Sequence, residues 1–267
     1  MQFFLQDRAI IALSGVDVVE LLQGITTADI RPLAEGKAVF TAMLTPQGKL
    51  AHDFFVYPKE SGFYLDVADS DADALRKKLK LYKMRSDVQI GEVEAKLTVL
   101  CEPEGQTEGL SRFLGARSVV PLTDADDSDA YHAWRITHGI PDAAKDGTDR
   151  SFVLDLGYDA LDAVAFDKGC YVGQEVTARM HYKDARKRVP YIVRAESGFA
   201  EGQNDVLMDD VRIGDVRSHS GDVGFGVCQW REVEKARVQP TTCTGVPVTL
   251  SIPEWFAAKY EALSTAA

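Results

Sequence analysis

The stretch 168-KGCYVGQE-175 sets one cysteine between glycines, beside a lysine, a tyrosine and a glutamine–glutamate pair. The thiolate is the form that attacks carbon or binds metal, so a working cysteine needs nearby positive charge or a helix N-terminus. Lys168 stands two residues before Cys170. The run QEVTARMHY predicts a helix with Glu175 in its first turn, which places Cys170 just ahead of unpaired backbone N–H groups that favour an anion. Gly169 and Gly173 would let the backbone turn tightly and let a ligand come close. Gln174 offers a donor and an acceptor, and Tyr171 a π-face with a hydroxyl. No second cysteine is near, so neither a CxxC redox pair nor a metal cage is encoded here. Two readings of Cys170 stay open on this chemistry, a reactive or ligating thiol and a structural one. The stretch that follows, 179-RMHYKDARKR-188, carries five Lys or Arg residues plus His181. It is either a solvated helix end and loop or a local anion site, for phosphate, a polyglutamate tail or an acidic partner.

The other cysteines, Cys101, Cys228 and Cys243, match no zinc or ferredoxin spacing and are too sparse for a secreted disulfide scaffold. Cys101 and Cys228 each end an apolar run (LTVLC, GFGVC) and are expected to be buried small hydrophobes. Nothing in TTCTG argues for either role of Cys243. A net charge of −11 over 267 residues excludes a general nucleic-acid binder. No apolar run reaches the ~20 residues of a membrane span. The start, MQFFLQDRAII, lacks a basic n-region, a long apolar stretch and a cleavage site, and leads us to expect a cytoplasmic protein.

The elements that must position the motif come from periodicity and turn chemistry. AIIAL predicts a strand and SGVDVVELLQG a short helix, with Ser14 and Asp17 as a capping box and Gly24 as its stop. VFTAMLTPQGKLAHDFFVY predicts two strands joined at Pro46-Gln47-Gly48, and PKESG turns the chain into the strand FYLDVA. The run 71-DADALRKKLKLYKM-84 brings Leu75, Leu79 and Tyr82 onto one helix face. VQIGEVEAKLTVL supplies further strands, 121-PLTDADDSDA-130 an exposed acidic loop, and Gly-Ile-Pro after YHAWRITH a break. From about Val189 the pattern becomes all-β, the clearest domain boundary in the chain.

FDKGCYVGQEVTARMHY resembles the signature of the YgfZ family of folate-binding iron–sulfur cluster assembly factors, a branch of the glycine-cleavage T-protein (aminomethyltransferase) superfamily. LSGVDVVELLQGITTADI, LTPQGKLAHDFFVY, LRKKLKLYKMRSDVQI, RITHGIPD and VRIGDVRS fall in the family's order, so the resemblance covers nearly the whole chain. It implies an α+β fold, a three-domain T-protein-like ring with a central channel and a C-terminal β-barrel. Residues 1–32 and 97–188 would form a discontinuous first domain carrying the cysteine motif, 33–96 an inserted α+β domain, and 189–267 the barrel. It implies that Cys170 is the functional cysteine, with Lys168, Gln174 and Glu175 around it. Tetrahydrofolate would be held by Tyr131, Asp53, Arg135, Tyr171 and Arg179.

One thiol cannot hold a cluster alone. Any transiently bound iron–sulfur cluster would be shared by Cys170 with a partner or small thiol, the expected partners being an A-type scaffold protein and client [4Fe–4S] enzymes. Some positions depart from the pattern. Asp53 stands where the T-protein has an acidic residue near the folate nitrogens, although a lone strand Asp otherwise faces solvent. RITHG carries Thr137 where the T-protein's Arg-x-Glu-x-Gly has its acid, which weakens an aminomethyltransferase reading. Arg8 and Tyr131 replace tryptophans that flank the folate in bacterial members; Tyr131 keeps a stacking face and Arg8 does not.

The resemblance therefore implies an accessory factor in assembly or repair of [4Fe–4S] clusters, not a conventional enzyme. The alternative is a tetrahydrofolate-dependent aminomethyltransferase or other one-carbon transferase. A thiol enzyme would need a base, and His181, about three helical turns on, would not reach Cys170 without a bend.

Overall fold

The structure is a computed structural model and describes residues 1–33, 37–92, 96–183, 185–199, 204–236 and 241–265. Residues 93–95 of the expected strand region and Asp184 of the basic stretch lie outside these. The chain divides into two compact units, Met1–Tyr131 with Leu161–Val176, and His132–Ala160 with Thr177–Ala267.

The first unit runs β1 (Phe3–Leu5), β2 (Arg8–Ser14), α1 (Val18–Ile25), β3 (Val39–Leu44), β4 (Leu50–Lys59), β5 (Gly62–Ala68), α2 (Asp69–Lys83), β6 (Gln89–Glu92), β7 (Leu97–Glu102) and β8 (Ala116–Pro121). One antiparallel sheet has the order β3-β4-β5-β2-β6, and a smaller one β1-β7-β8. Side chains alternate across a strand, so Ile11 and Leu13 of β2, Phe54 and Val56 of β4, and Leu65 and Val67 of β5 reach one face. There they share a core with Leu21 and Leu22 of α1 and Leu75 and Leu79 of α2. Full burial of each such side chain stabilises the fold by roughly 1.5–3 kcal/mol. The expected hairpin forms at Pro46-Gln47-Gly48. Gly48 takes φ +75 and its N–H donates to the Thr45 carbonyl at 2.8 Å.

Two local expectations for α1 fail. Asp17 caps nothing within the helix; its Oδ2 accepts the Asp87 N–H at 2.7 Å, tying the loop before α1 to the end of the α2–β6 connection. Gly24 does not stop the helix, which runs one residue further, to Ile25, with extended Thr26 as C-cap. The last carbonyls of α1 find their partners elsewhere in the chain.

Helix α3 (Ser128–Thr137) crosses the boundary between units. The acidic loop is therefore shorter than expected, since its last three residues are helical. Asp127 Oδ2 and Ser128 Oγ accept N–H groups of Phe4 and Gln6, fastening the N-terminal strand. Gly139 at φ +65 ends the helix as the Gly-Ile-Pro break requires.

The second unit continues with α4 (Ala143–Asp146), α5 (Gln174–Tyr182, entered at Thr177), β9 (Arg188–Ala195), β10 (Asp205–Met208), β11 (Val211–Ser220), β12 (Val223–Gln229), α6 (Trp230–Ala236), β13 (Thr241–Cys243), β14 (Val246–Ser251) and α7 (Ala257–Thr265). Six of these strands close a barrel in the order β10-β11-β12-β9-β14-β13, with β13 returning to β10. Closure leaves no strand edge exposed. The all-β texture from Val189 is the barrel, but α6 and α7 interrupt it. Tyr260 of α7 packs edge-on against Tyr191 of β9 and Trp230 of α6, burial that helical propensity alone does not announce.

Candidate functional site

The cysteine motif is a strap laid across the end of α1. Moving along it, Ala163 O accepts the Thr27 hydroxyl at 2.6 Å, Ala165 N–H donates to Thr27 O at 2.9 Å, and Val172 N–H donates to Gly24 O at 3.1 Å. Between these ties Lys168 Nζ donates to the carbonyls of Thr26 at 2.7 Å and Ala28 at 2.6 Å. A helix leaves its last carbonyls unmet and its C-terminus partly negative. Here the Val172 N–H meets the Gly24 carbonyl, and the Lys168 ammonium holds the carbonyls of the C-cap Thr26 and of Ala28 just past it, so the helix ends without a glycine stop. Helix α5 starts at Gln174 with Glu175 in its first turn, as the sequence predicts.

The strap also seats on the β3–β4 hairpin. Gly173, at φ +82, lies so close that a Cβ there would stand 2.5 Å from the Thr45 carbonyl oxygen and 3.2 Å from Gly48 Cα. A Cβ on Gly48 would in turn meet Val176 Cβ at 2.7 Å. Two facing glycines thus let the hairpin tip and the start of α5 touch through backbone. Gly169 differs: its backbone is not left-handed and a Cβ would meet nothing within 4 Å, so tight turning is not its role.

Cys170 is exposed, whereas Cys101, Cys228 and Cys243 are buried. Burial pushes all three of those thiols up, away from thiolate chemistry. Cys101 and Cys228 are the small hydrophobes expected, and Cys243 joins them. No group of three or more His, Cys, Asp or Glu side chains able to hold a metal gathers among the described residues. Gln174 is half-buried, and Glu175 and Arg179 are exposed on α5, Arg179 within the second unit.

Tyr171 is buried, its ring 5.1 Å from Lys168 Nζ, and its hydroxyl has no hydrogen-bond partner. Burial pushes that hydroxyl up to about 12. Asp53 is buried in β4 and does not face solvent, which removes the bland reading of a surface strand residue.

The sequence reading missed what surrounds Arg8 and Tyr131. Asp66 of β5 is fully buried between two guanidiniums, Arg8 Nε at 2.5 Å and Arg117 Nη2 at 2.9 Å. Arg117 Nη1 also donates to Tyr131 Oη at 3.1 Å, and its guanidinium lies 4.1 Å from the Phe55 ring centre. Burial opposes ionisation of Asp66, but Arg8 and Arg117 outweigh it and hold the carboxyl below its ordinary range. Tyr131 thus ends an Arg–Asp–Arg chain; Phe3 meets its ring edge-on and Arg117 lies 5.5 Å from the ring centre. Asp66 and Arg117 gave no signal because each sits singly in an ordinary strand pattern.

Arg135 lies in a buried polar cluster. It is almost fully buried in the second unit, where Nη1 donates to Asp146 Oδ2 at 2.8 Å and to Ile140 O at 3.2 Å. Its Nε donates to His132 Nδ1 at 2.9 Å, and Ser218 completes the cluster by donating to Asp146 Oδ1 at 2.5 Å. This ion pair fixes the end of α3 to α4 and β11.

Lys168 carries a measurable consequence. Burial pushes its ammonium down from 10.5 to about 8. Between those values the unfolded chain binds more protons than the folded one, so stability rises with pH. The stability of the wild type relative to Lys168→Met should stay flat below pH about 8 and climb from there to about 10.5. Urea midpoints of both proteins across that range test this; a difference independent of pH would mean that the ammonium is not desolvated.

Comparison with known proteins gives the family context. The GCVT N-terminal domain model matches residues 7–101, and the CAF17 C-terminal β-barrel domain model matches residues 186–258. The iron-sulfur cluster assembly factor IBA57 homolog, mitochondrial, of Neurospora crassa is 30% identical over 241 residues, covering 74% of this chain and 54% of that protein. The iron-sulfur cluster assembly factor IBA57, mitochondrial, of Homo sapiens is 26% identical, covering 95% of this chain and 85% of that one. The chain spans only 54–60% of the length of the two fungal relatives from Neurospora crassa and Chaetomium globosum. Among solved structures, glycine cleavage system aminomethyltransferase T from Bartonella henselae superposes with a TM-score of 0.72 at 16% identity, covering 94% of this chain and 85% of that chain. The fold is therefore T-protein-like, with mixed sheets and helices and a C-terminal six-stranded barrel, as the sequence led us to expect. No helix among the described residues is long and apolar enough to cross a membrane.

Proposed function

We propose that this protein is a YgfZ-type, folate-binding accessory factor in the assembly or repair of [4Fe–4S] clusters, with Cys170 as its working thiol. The observation that carries the reading is the contrast among the cysteines: three are buried and Cys170 alone is exposed, on a strap whose both sides are tied down. The similarity to proteins named iron–sulfur cluster assembly factors supports the same reading. A cluster needs several thiolates, so Cys170 would share its cargo with a partner such as an A-type scaffold protein or with a small thiol. Tetrahydrofolate would be held by Tyr131, Asp53, Arg135, Tyr171 and Arg179. A cytoplasmic location belongs to the proposal as well; the relatives named above are called mitochondrial.

Deleting the gene tests this directly. [4Fe–4S] enzyme activities should fall under oxidative stress and return with the wild-type gene, and calorimetry should register tetrahydrofolate binding to the pure protein. Normal activities in the deletion strain would remove the assembly role. The buried Asp53 favours a one-carbon transferase as the second reading. Turnover of methylene-tetrahydrofolate with an aminomethyl donor in the same preparation would put that reading first.

A further inference from the structure

The end of the basic stretch, from Ala185 on, lines a cleft. A cleft of about 410 Å³ opens in the second unit, lined by Ala185, Arg186, Lys187, Gln229, Arg231 and Glu232. Three of these are cations in a chain whose net charge is −11. Trp230 builds the cleft: its indole Nε1 donates to Arg186 O at 3.0 Å and its backbone N–H to Lys187 O at 3.3 Å. The chain entering β9 is thereby pinned to the start of α6, and Arg231 lies 5.2 Å over the Trp230 ring.

Arg186 is held from behind by Asp159, with Nη2 at 2.7 Å from Oδ2, and Lys259 Nζ reaches the same oxygen at 3.0 Å. One carboxylate thus faces two cations, and Arg186 keeps a buried Nη1 with no hydrogen-bond partner. Among the described residues neither Lys187 nor Arg231 is ion-paired, and Glu232 is the one carboxylate in the lining.

We propose that this cleft binds a small phosphate-bearing molecule. Clefts of several hundred cubic ångströms take small ligands. A phosphoryl group carries about −1.5 to −2 charge at neutral pH, which the excess of cations here would neutralise. Guanidiniums meet its oxygens in bidentate fashion, and the Gln229 amide adds a neutral donor. This proposal does not rest on the folate and thiol chemistry proposed above and stands or falls without it.

The test titrates the full chain with inorganic phosphate, glycerol 3-phosphate and glutarate at constant ionic strength, read by calorimetry and by tryptophan fluorescence. Saturable binding of the two phosphates, tighter than glutarate, is expected. Lys187→Ala and Arg231→Ala should each weaken it about tenfold, as loss of one charge-assisted contact does. Both side chains are exposed, so the variants should melt with the wild type. No saturable response to phosphate, a response matched by sodium chloride, or phosphate binding indifferent to both substitutions would overturn the site. Glutarate binding as tightly as phosphate would overturn its assignment to phosphate.

Discussion

Replacing Cys170 by serine should reduce cluster uptake from an A-type scaffold, in anaerobic reconstitution, to the level of a sample without protein. Serine is nearly the same size but offers no thiolate for iron. Cys170 is exposed, and the ties that hold its strap come from Ala163, Ala165, Lys168 and Val172, none of which the substitution touches. Thermal unfolding should therefore stay that of the wild type, which separates loss of chemistry from loss of fold. Cys243→Ala serves as the control, since that thiol is buried in the barrel and should leave uptake intact. In cells the serine allele should fail to rescue the deletion. Full rescue would make the thiol incidental, and the likeness to assembly factors would then need another chemical basis.

The largest stability effect should come from Asp66→Ala. Its carboxylate is fully buried and neutralises both Arg8 and Arg117. Removing one member of a buried ion cluster leaves charge without compensation and costs about 3–5 kcal/mol. In urea the midpoint should fall, and the extrapolated free energy of unfolding should drop by that amount. Exchanging the triad as a whole, Arg8→Met with Asp66→Leu and Arg117→Met, should recover most of the loss, because apolar side chains of similar volume replace such clusters at little cost. A change below about 1 kcal/mol in Asp66→Ala would mean that water reaches the guanidiniums. Acid should act the same way. The Asp66 carboxyl ionises below its ordinary range, so its contribution is complete above the unfolded value and disappears as pH falls through the folded one.

What could be read from the chain was mostly local. Helix α5 begins and ends where QEVTARMHY does, because turn glycine, early acid and late base all act within one or two turns. The β3–β4 hairpin and the helix face of Leu75 and Leu79 were legible for the same reason. The α1 cap was misread because Asp17 prefers a partner 70 positions away. Gly24 reads as a stop because nothing near it reveals that Val172 supplies the N–H its carbonyl needs. Around Arg135, only the fold brings Asp146 and Ser218 together. Motif residues can be found by type and spacing; whether a charged one faces a ligand or an opposite charge depends on long-range pairing that no window contains.

The strap across α1 bears on how the chain is made. The helix occupies residues 18–25, yet the groups that finish it arrive with Lys168 and Val172. Domains tend to fold as they leave the ribosome, at about 5–20 residues per second. The ties from Ala165, Lys168 and Val172 to the end of α1 therefore become possible only after some 150 further residues have emerged, including the 132–160 segment that belongs to the other unit. During that interval the carbonyls of Gly24, Thr26 and Ala28 lack those partners, so the nascent chain carries open acceptors that the finished protein does not.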